Sequence, residues 1–265
     1  MTAPVTTYDR PLPVSFEPPV QNPAPHGLYA ATTWTDIAPN QPSRHLSGVE
    51  VRPVGNYGGE GASGIWPNDS CATGTEPDPA LRKEGTRPEG VDPFESVTVW
   101  AYDECDLTAP SREEVQARAL QIMRLEEQTA VEREFAERMK ADVGVIDQTA
   151  ASLKLAVGYL EGLFALSNTV GFIHAGAQWA SQEFGLVIRS GTRLVSPLGH
   201  TWVFGGGYVD ALDHVLIATS PTFGWRDEVQ LRTAIDERHN TFAAVAERTV
   251  LVGYEAVIGA VEIVP

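Results

Sequence analysis

Residues 111–143 read SREEVQARALQIMRLEEQTAVEREFAERMKADV, a stretch with neither glycine nor proline. Val115, Ala119, Ile122 and Met123 recur at three- and four-residue spacing and lay an apolar stripe along one helix face. Pro110 precedes Ser111, and Ser111 with Glu114 has the spacing of a capping box: the hydroxyl accepts from a first-turn N–H while the glutamate reaches back. Glu114 with Arg118, and Glu134 with Arg138, stand four apart in the order that favours ion pairing. Gly144 supplies a stop. The stretch predicts a helix of about 30 residues, roughly 45 Å long. A compact chain of this length has a radius of gyration of about 18 Å, so the rod crosses nearly the whole subunit as a spine.

Upstream of the spine the chain changes character. Residues 1–110 hold 16 of the 19 prolines, which interrupt every candidate helix. Residues 1–45 lack hydrophobic periodicity and read as an extended arm. Residues 55–93 form a second excursion rich in Gly, Pro and Asp, flanked by strand-like pieces at Val49–Val51 and Val97–Trp100. About 40 residues with so little apolar content are functional or disordered in a compact domain, and both segments gain burial chiefly by lying on something else.

Downstream, helix and strand patterns interleave. Thr149 to Ala165 reads as an amphipathic helix, Val170 to His174 as a strand and Ala177 to Phe184 as a helix. Strand-like runs follow at Thr201–Phe204, Val215–Thr219 and Phe223–Glu228, and Phe242–Val264 reads as two β runs around Gly253. The class is α+β, without regular βαβ repeats.

Composition narrows the chemistry. Nineteen Lys plus Arg face 35 Asp plus Glu among 265 residues, a net charge of −16. Affinity for phosphates needs clustered cations, and none cluster here, which argues against a free-standing nucleic-acid binder. Cys71 and Cys105 have no metal-ligand spacing and are too few for a disulfide framework. The N-terminus lacks the basic and apolar regions of a signal peptide, and no apolar run reaches 18 residues, so a soluble, intracellular product is expected.

Gly59-Glu60-Gly61-Ala62-Ser63-Gly64 fits GxGxxG, with Glu84 about 20 residues on. Pro53 spoils the strand that a dinucleotide site needs before it, and Pro67, Pro77 and Pro79 forbid the helix after it. These are read as loop glycines. His174 reads as a packed or turn histidine, and His200, His214 and His239 have no companion ligands. Gly205-Gly206-Gly207 reads as a tight turn needing positive φ, or as an anion nest. Asn68-Asp69-Ser70 matches a glycosylation sequon, without meaning in a chain never secreted.

The order of pieces, with the stretches LEEQTAVEREFAERM (125–139), GFIHAGAQWASQEFGLVIRSGTRLVSPLGHTWVFGGGY (171–208), HVLIATSPTFGWRDE (214–228) and HNTFAAVAERTVLVGYEAVIGAVEIV (239–264), resembles the HK97-fold major capsid proteins of tailed double-stranded DNA bacteriophages, especially those of actinobacteria. The resemblance covers residues 94–265; the arm and excursion match by position and composition. It implies an arm at 1–45, an E-loop with flanking strands at 46–108, a P-domain spine at 109–148, an A domain at about 149–225 and a return to the P-domain β segment at 226–265. It implies self-assembly as hexamers and pentamers into an icosahedral head enclosing double-stranded DNA, with a location in the virion after assembly in the host cytoplasm. The acidic subunit then suits weak adhesion to packed DNA. Portal and decoration proteins are further expected partners. The chain lacks a long helical N-terminal extension, so scaffolding is expected from another protein. No catalysis, cofactor, metal or membrane is implied. Some members bond an E-loop lysine to a neighbour's asparagine, for which Lys83 and Asn240 are the candidates here. An encapsulin-type nanocompartment shell is the alternative on the same fold, and a small nucleotide-binding enzyme using the Gly-rich loop is the alternative on another.

Overall fold

The computed structural model describes Val14, residues 16–65 except 40 and 42, and residues 83–264. Most of the first 15 residues of the expected arm lie outside the described residues. So do residues 66–82 of the excursion, with Cys71 and the Asn68 sequon.

Along the chain run α1 (Leu28–Ala31), β1 (Thr33–Asp36), β2 (Val97–Asp106), α2 (Ala109–Val143), β3 (Thr149–Ala150), α3 (Leu153–Ser167), β4 (Phe172–Gly176), β5 (Ile188–Ser190), β6 (Arg193–Val195), β7 (Thr201–Gly205), α4 (Tyr208–Ala211), β8 (Val215–Thr219), β9 (Phe223–Arg226), β10 (Gln230–Asp236), β11 (Thr241–Gly253) and β12 (Val257–Ile263). The class is α+β.

α2 is the spine, 35 residues and therefore about 52 Å long. It starts earlier than the Ser111–Glu114 pattern suggests, and that capping box does not form. Thr108 is the N-cap, in extended conformation. Asp106 Oδ1 accepts from the Thr108 N–H at 2.8 Å and its hydroxyl at 2.7 Å. Pro110 fits the first turn, where a missing N–H costs nothing, and Ser111 is carried inside the helix and buried. Gly144, at φ 70°, closes the other end through its N–H to Lys140 O.

Val115, Ala119, Met123, Val131, Phe135, Ala136 and Met139 bury the predicted stripe, with Ile122 at its exposed margin. Of the two predicted ion pairs, Arg118 meets Glu114 at 3.6 Å. Arg138 turns instead to Asp142 at 2.9 Å, because that carboxylate is nearly buried beside it.

Two sheets flank this face. In the first, β11 is central: β2 pairs antiparallel along one edge, β10 and then β9 along the other, and β1 joins β9 in parallel. The second has order β3-β12-β8-β4-β7-β6-β5. Alternation in β4 divides its two faces. Phe172 belongs to the core around α2, while Ile173 and Ala175 belong to the core under α3.

Several local expectations are corrected. The helix expected from Thr149 starts at Leu153, capped by the Ser152 hydroxyl, and Thr149–Ala150 joins β12 as a strand instead. The helix expected at 177–184 is two short 3-10 turns, Ala177–Ser181 and Phe184–Leu186; Trp179, in the middle of the first, is tied through Nε1 to Asp213 O at 2.8 Å. Val49–Val51 makes a single bridge, Val49 to Phe94, before Pro53 stops further pairing. The arm is not wholly extended, since it contains α1 and β1. β10 had no visible signal, because its residues are largely exposed and it is defined by its pairing with β11. Residues 226–265, expected as one return segment, are shared between the sheets: β11 belongs to the first and β12 to the second.

Candidate assembly surfaces and their anchors

The arm is tied to the spine by two buried glutamates. Glu127 accepts a two-pronged contact from Arg248, Nε to Oε1 and Nη2 to Oε2, both at 2.6 Å, and the Tyr29 hydroxyl at 2.5 Å. Burial alone would lower the Arg248 pKa; its bonds and attraction to Glu127 more than offset that and raise it. Burial, then the charge of Glu127, pushes the Tyr29 hydroxyl up. Glu132 accepts from the Leu28 N–H and the Gly207 N–H, each at 2.9 Å, and from Gln128 Nε2 at 3.0 Å. Burial raises its pKa against the opposing pull of those donors.

Other ties run along the same path. Gln121 and Gln128 donate to the carbonyls of Gln21 and His26 at 2.8 and 2.9 Å, and Arg124 donates to the Asn22 side chain. Beyond α1, Arg226 lies over the Trp34 ring and bonds Asp36 at 2.6 Å. Residues 21–36 are therefore fixed. Farther out, Val14, Phe16 and Val20 are 92%, 80% and 71% exposed.

The root of the excursion is held on both sides. Arg138 donates to Pro93 O at 2.9 Å and Asp92 O at 2.5 Å, lies over the Phe94 ring, and pairs with Asp142. Asp142 also accepts the Tyr254 hydroxyl at 2.5 Å. On the outgoing side, Glu255 accepts from Val54 N at 3.0 Å and Asn56 Nδ2 at 2.7 Å. Gly59–Ala62 is a 3-10 turn whose Gly61 carbonyl accepts from Thr86 N at 3.0 Å. The GxGxxG residues thus pack against the returning excursion, and among the described residues no strand leads into them and no helix follows.

The glycine triplet differs from both expectations. Its residues do not take positive φ. A Cβ on Gly207 would sit 2.3 Å from Thr129 O, and one on Gly205 would sit 2.7 Å from the Glu132 carboxyl carbon. Glycine is needed so the backbone can reach the spine, and the anion it meets is the chain's own Glu132.

His174 is a packed histidine. Thr219 spends its hydroxyl proton on Ser220 O, so it accepts from His174 Nε2–H at 2.9 Å, and Nδ1 is left to accept from Tyr208 at 3.2 Å. Burial pushes its pKa down to about 3. His200 stacks on Phe164 and accepts from Gly171 N–H. His214 and His239 are exposed beside Asp213 and Asp236. Among the described residues no three His, Cys, Asp or Glu side chains are grouped to hold a metal, and no helix is long and apolar enough to cross a membrane. Lys83 lies exposed on the excursion, and Asn240 exposed at the β10–β11 turn with φ 55°. The two glutamates and the glycine triplet were missed as a unit by sequence reasoning; the sole hint was a pair of acids within an otherwise apolar face.

No family model matches the chain, and no curated protein matches it. Among solved structures it is similar to one from Microbacterium phage Oxtober96, with 14% identity, 98% of this chain and 96% of that chain covered, and a TM-score of 0.53. It also matches the asymmetric unit of the bacteriophage PhiM1 mature capsid (11% identity, 98% and 93% covered, TM-score 0.45). A third match is an encapsulin complex from Synechococcus elongatus (10%, 64% and 75%, 0.42). The first likeness spans both chains almost end to end and carries the assignment. With an arm, an excursion, a spine helix and two sheets in that order, this chain has the HK97-like capsid fold.

Proposed function

We propose that the chain is the major capsid protein of a tailed double-stranded DNA phage, building an icosahedral head from hexamers and pentamers. The observation that carries this reading is the contrast within the arm. Residues 21–36 are held to the spine by a run of hydrogen bonds that ends in the buried ties of Leu28 and Tyr29, while Val14, Phe16 and Val20 just outside them stand exposed. Such a segment hides its apolar side chains by lying on a sister copy, and overlapping contacts of this kind make stability rise with lattice completion. In this reading α2 with the first sheet forms the P domain and the second sheet with α3 the A domain. The chain is structural, assembles in the host cytoplasm and ends in the virion. Scaffolding, portal and decoration proteins are its further partners.

Negative-stain microscopy and sedimentation of the purified full chain test this: closed shells are expected, and small particles at every concentration and salt level overturn it. DNA-filled heads on co-expression with a packaging system favour the phage; shells a few tens of nanometres across that retain enzyme cargo favour the nanocompartment. A bond between Lys83 of one copy and Asn240 of another would leave ladders on denaturing gels after boiling and reduction. Lys83→Arg would remove them.

A further inference from the structure

α3 is buried on one side only. Leu153, Ala156, Val157, Leu160 and Phe164 pack on the second sheet. The opposite face is not polar: Leu155 is 60%, Tyr159 36% and Leu166 79% exposed, with Gly158, Gly162 and Ala165 exposed between them. Lys154 and Glu161 are its charged residues, and the Glu161 carboxylate is committed to the Ser196 hydroxyl at 2.6 Å and Leu198 N–H at 2.9 Å. A Cβ at Gly158 or Gly162 would meet nothing within 4 Å. Glycine weakens a helix interior, and among the described residues nothing packs close enough to require it there.

A matching projection exists elsewhere on the same layer. In the turn Phe184–Leu186 the Phe184 ring is 92% exposed. The turn itself is anchored, with Leu186 and Val187 packed into the core beneath α3 and Trp202 Nε1 bonded to Leu186 O at 2.7 Å. Exposed Glu183 stands beside Phe184, and exposed Lys154 beside Leu155.

We propose that Phe184 of one copy seats on the outer face of α3 of the next, in the shallow hollow over Gly158 and Gly162, with Glu183 meeting Lys154. This rests on the capsid-subunit reading and names one of its contacts. The occupant is a second copy for two reasons. Copies carrying a net charge of −16 repel, so they meet best where uncommitted anions are absent, and the α3 face offers one cation and a glutamate already bonded. The projection that fits it, apolar with one flanking acid, belongs to the same chain. Because projection and hollow occupy different parts of the subunit, the contact is heterologous, and repeating it generates a ring or a closed array.

Sedimentation velocity and negative-stain microscopy of the full chain test the contact. Phe184→Asp and Gly162→Glu each alter an exposed position, so the melting temperature of the unassembled subunit does not fall, and rises slightly in Gly162→Glu where a glycine leaves the helix interior, while the concentration needed for assembly rises by about tenfold or more. With Cys71→Ser and Cys105→Ser as background, Phe184→Cys combined with Gly158→Cys gives oxidation-dependent ladders between copies. If the wild type assembles and Phe184→Asp assembles equally well, this contact is wrong and the capsid reading stands. Loss of assembly in Phe184→Asp without ladders from the cysteine pair places Phe184 against another surface and overturns the pairing. A wild type that never assembles brings down the capsid reading itself.

Discussion

At the scale of residues, the interior of this subunit is organised by a few buried polar groups whose partners come from distant segments. His174 gives one prediction. Its folded pKa lies near 3, below the ordinary 6.5, so the unfolded chain takes up a proton that the folded chain refuses. Stability from this group is complete above about pH 6.5 and is lost as pH falls toward 3, by up to about 1.4 kcal/mol per unit. Urea titrations at several acid pH values should therefore show a shallower slope in His174→Gln than in wild type. Breaking the Glu127–Arg248 pair strands a buried charge, so Arg248→Ala should cost about 3 kcal/mol or more in the same titration and loosen the arm through Tyr29. Gly207→Ala puts a methyl group where Thr129 O stands 2.3 Å away. It should cost a few kcal/mol, read as a lower melting temperature, although alanine is ordinarily the better helix former. The separate members of these groups were visible in the sequence, as a histidine ending an apolar strand and a run of glycines. Their partnership was not, because Glu132, Leu28 and Gly207 are brought together by tertiary packing alone.

At the scale of elements, the spine was the most legible, since 33 residues without a helix breaker and with a regular stripe admit one local structure. Its start was misread because Asp106 and Thr108 cap it from the end of β2, and Pro110 belongs inside the first turn rather than before it. β8 was read at its true bounds, Val215–Thr219, where a short buried apolar run stands between turns. β10 escaped notice for the opposite reason: a hydrogen-bonded edge strand with little burial leaves no hydrophobic pattern. α3 carries a prediction at this scale. A methyl group at Gly158 or Gly162 meets no atom within 4 Å among the described residues, so Gly158→Ala and Gly162→Ala should each stabilise the unassembled chain by up to about 1 kcal/mol. Chemical denaturation measures this, and a destabilised variant would show that the glycines serve the subunit's own packing.

At the scale of the whole molecule, an arm tied down from Gln21 onward and exposed at Val14, Phe16 and Val20 suits the proposed capsid subunit. Removing residues 1–20 should leave the secondary structure intact by circular dichroism, because the described ties of the arm begin at Gln21, and should abolish shell formation. A net charge of −16 sets the ionic dependence: raising salt from about 0.05 to 0.5 M shortens the Debye length several-fold, so shells should form at lower protein concentration, as light scattering would show. The sequence by itself determined the α+β class, the spine, the proline-rich N-terminal extensions and the acidic balance, because periodicity, proline and charge act locally or by simple addition. Only the tertiary structure decided how the sheets share the C-terminal segment, which glutamates clasp the arm, and why three glycines follow β7. Those depend on residues far apart in the chain, whose meeting is set by how the spine packs between two sheets and leaves no trace in the spacing of either partner.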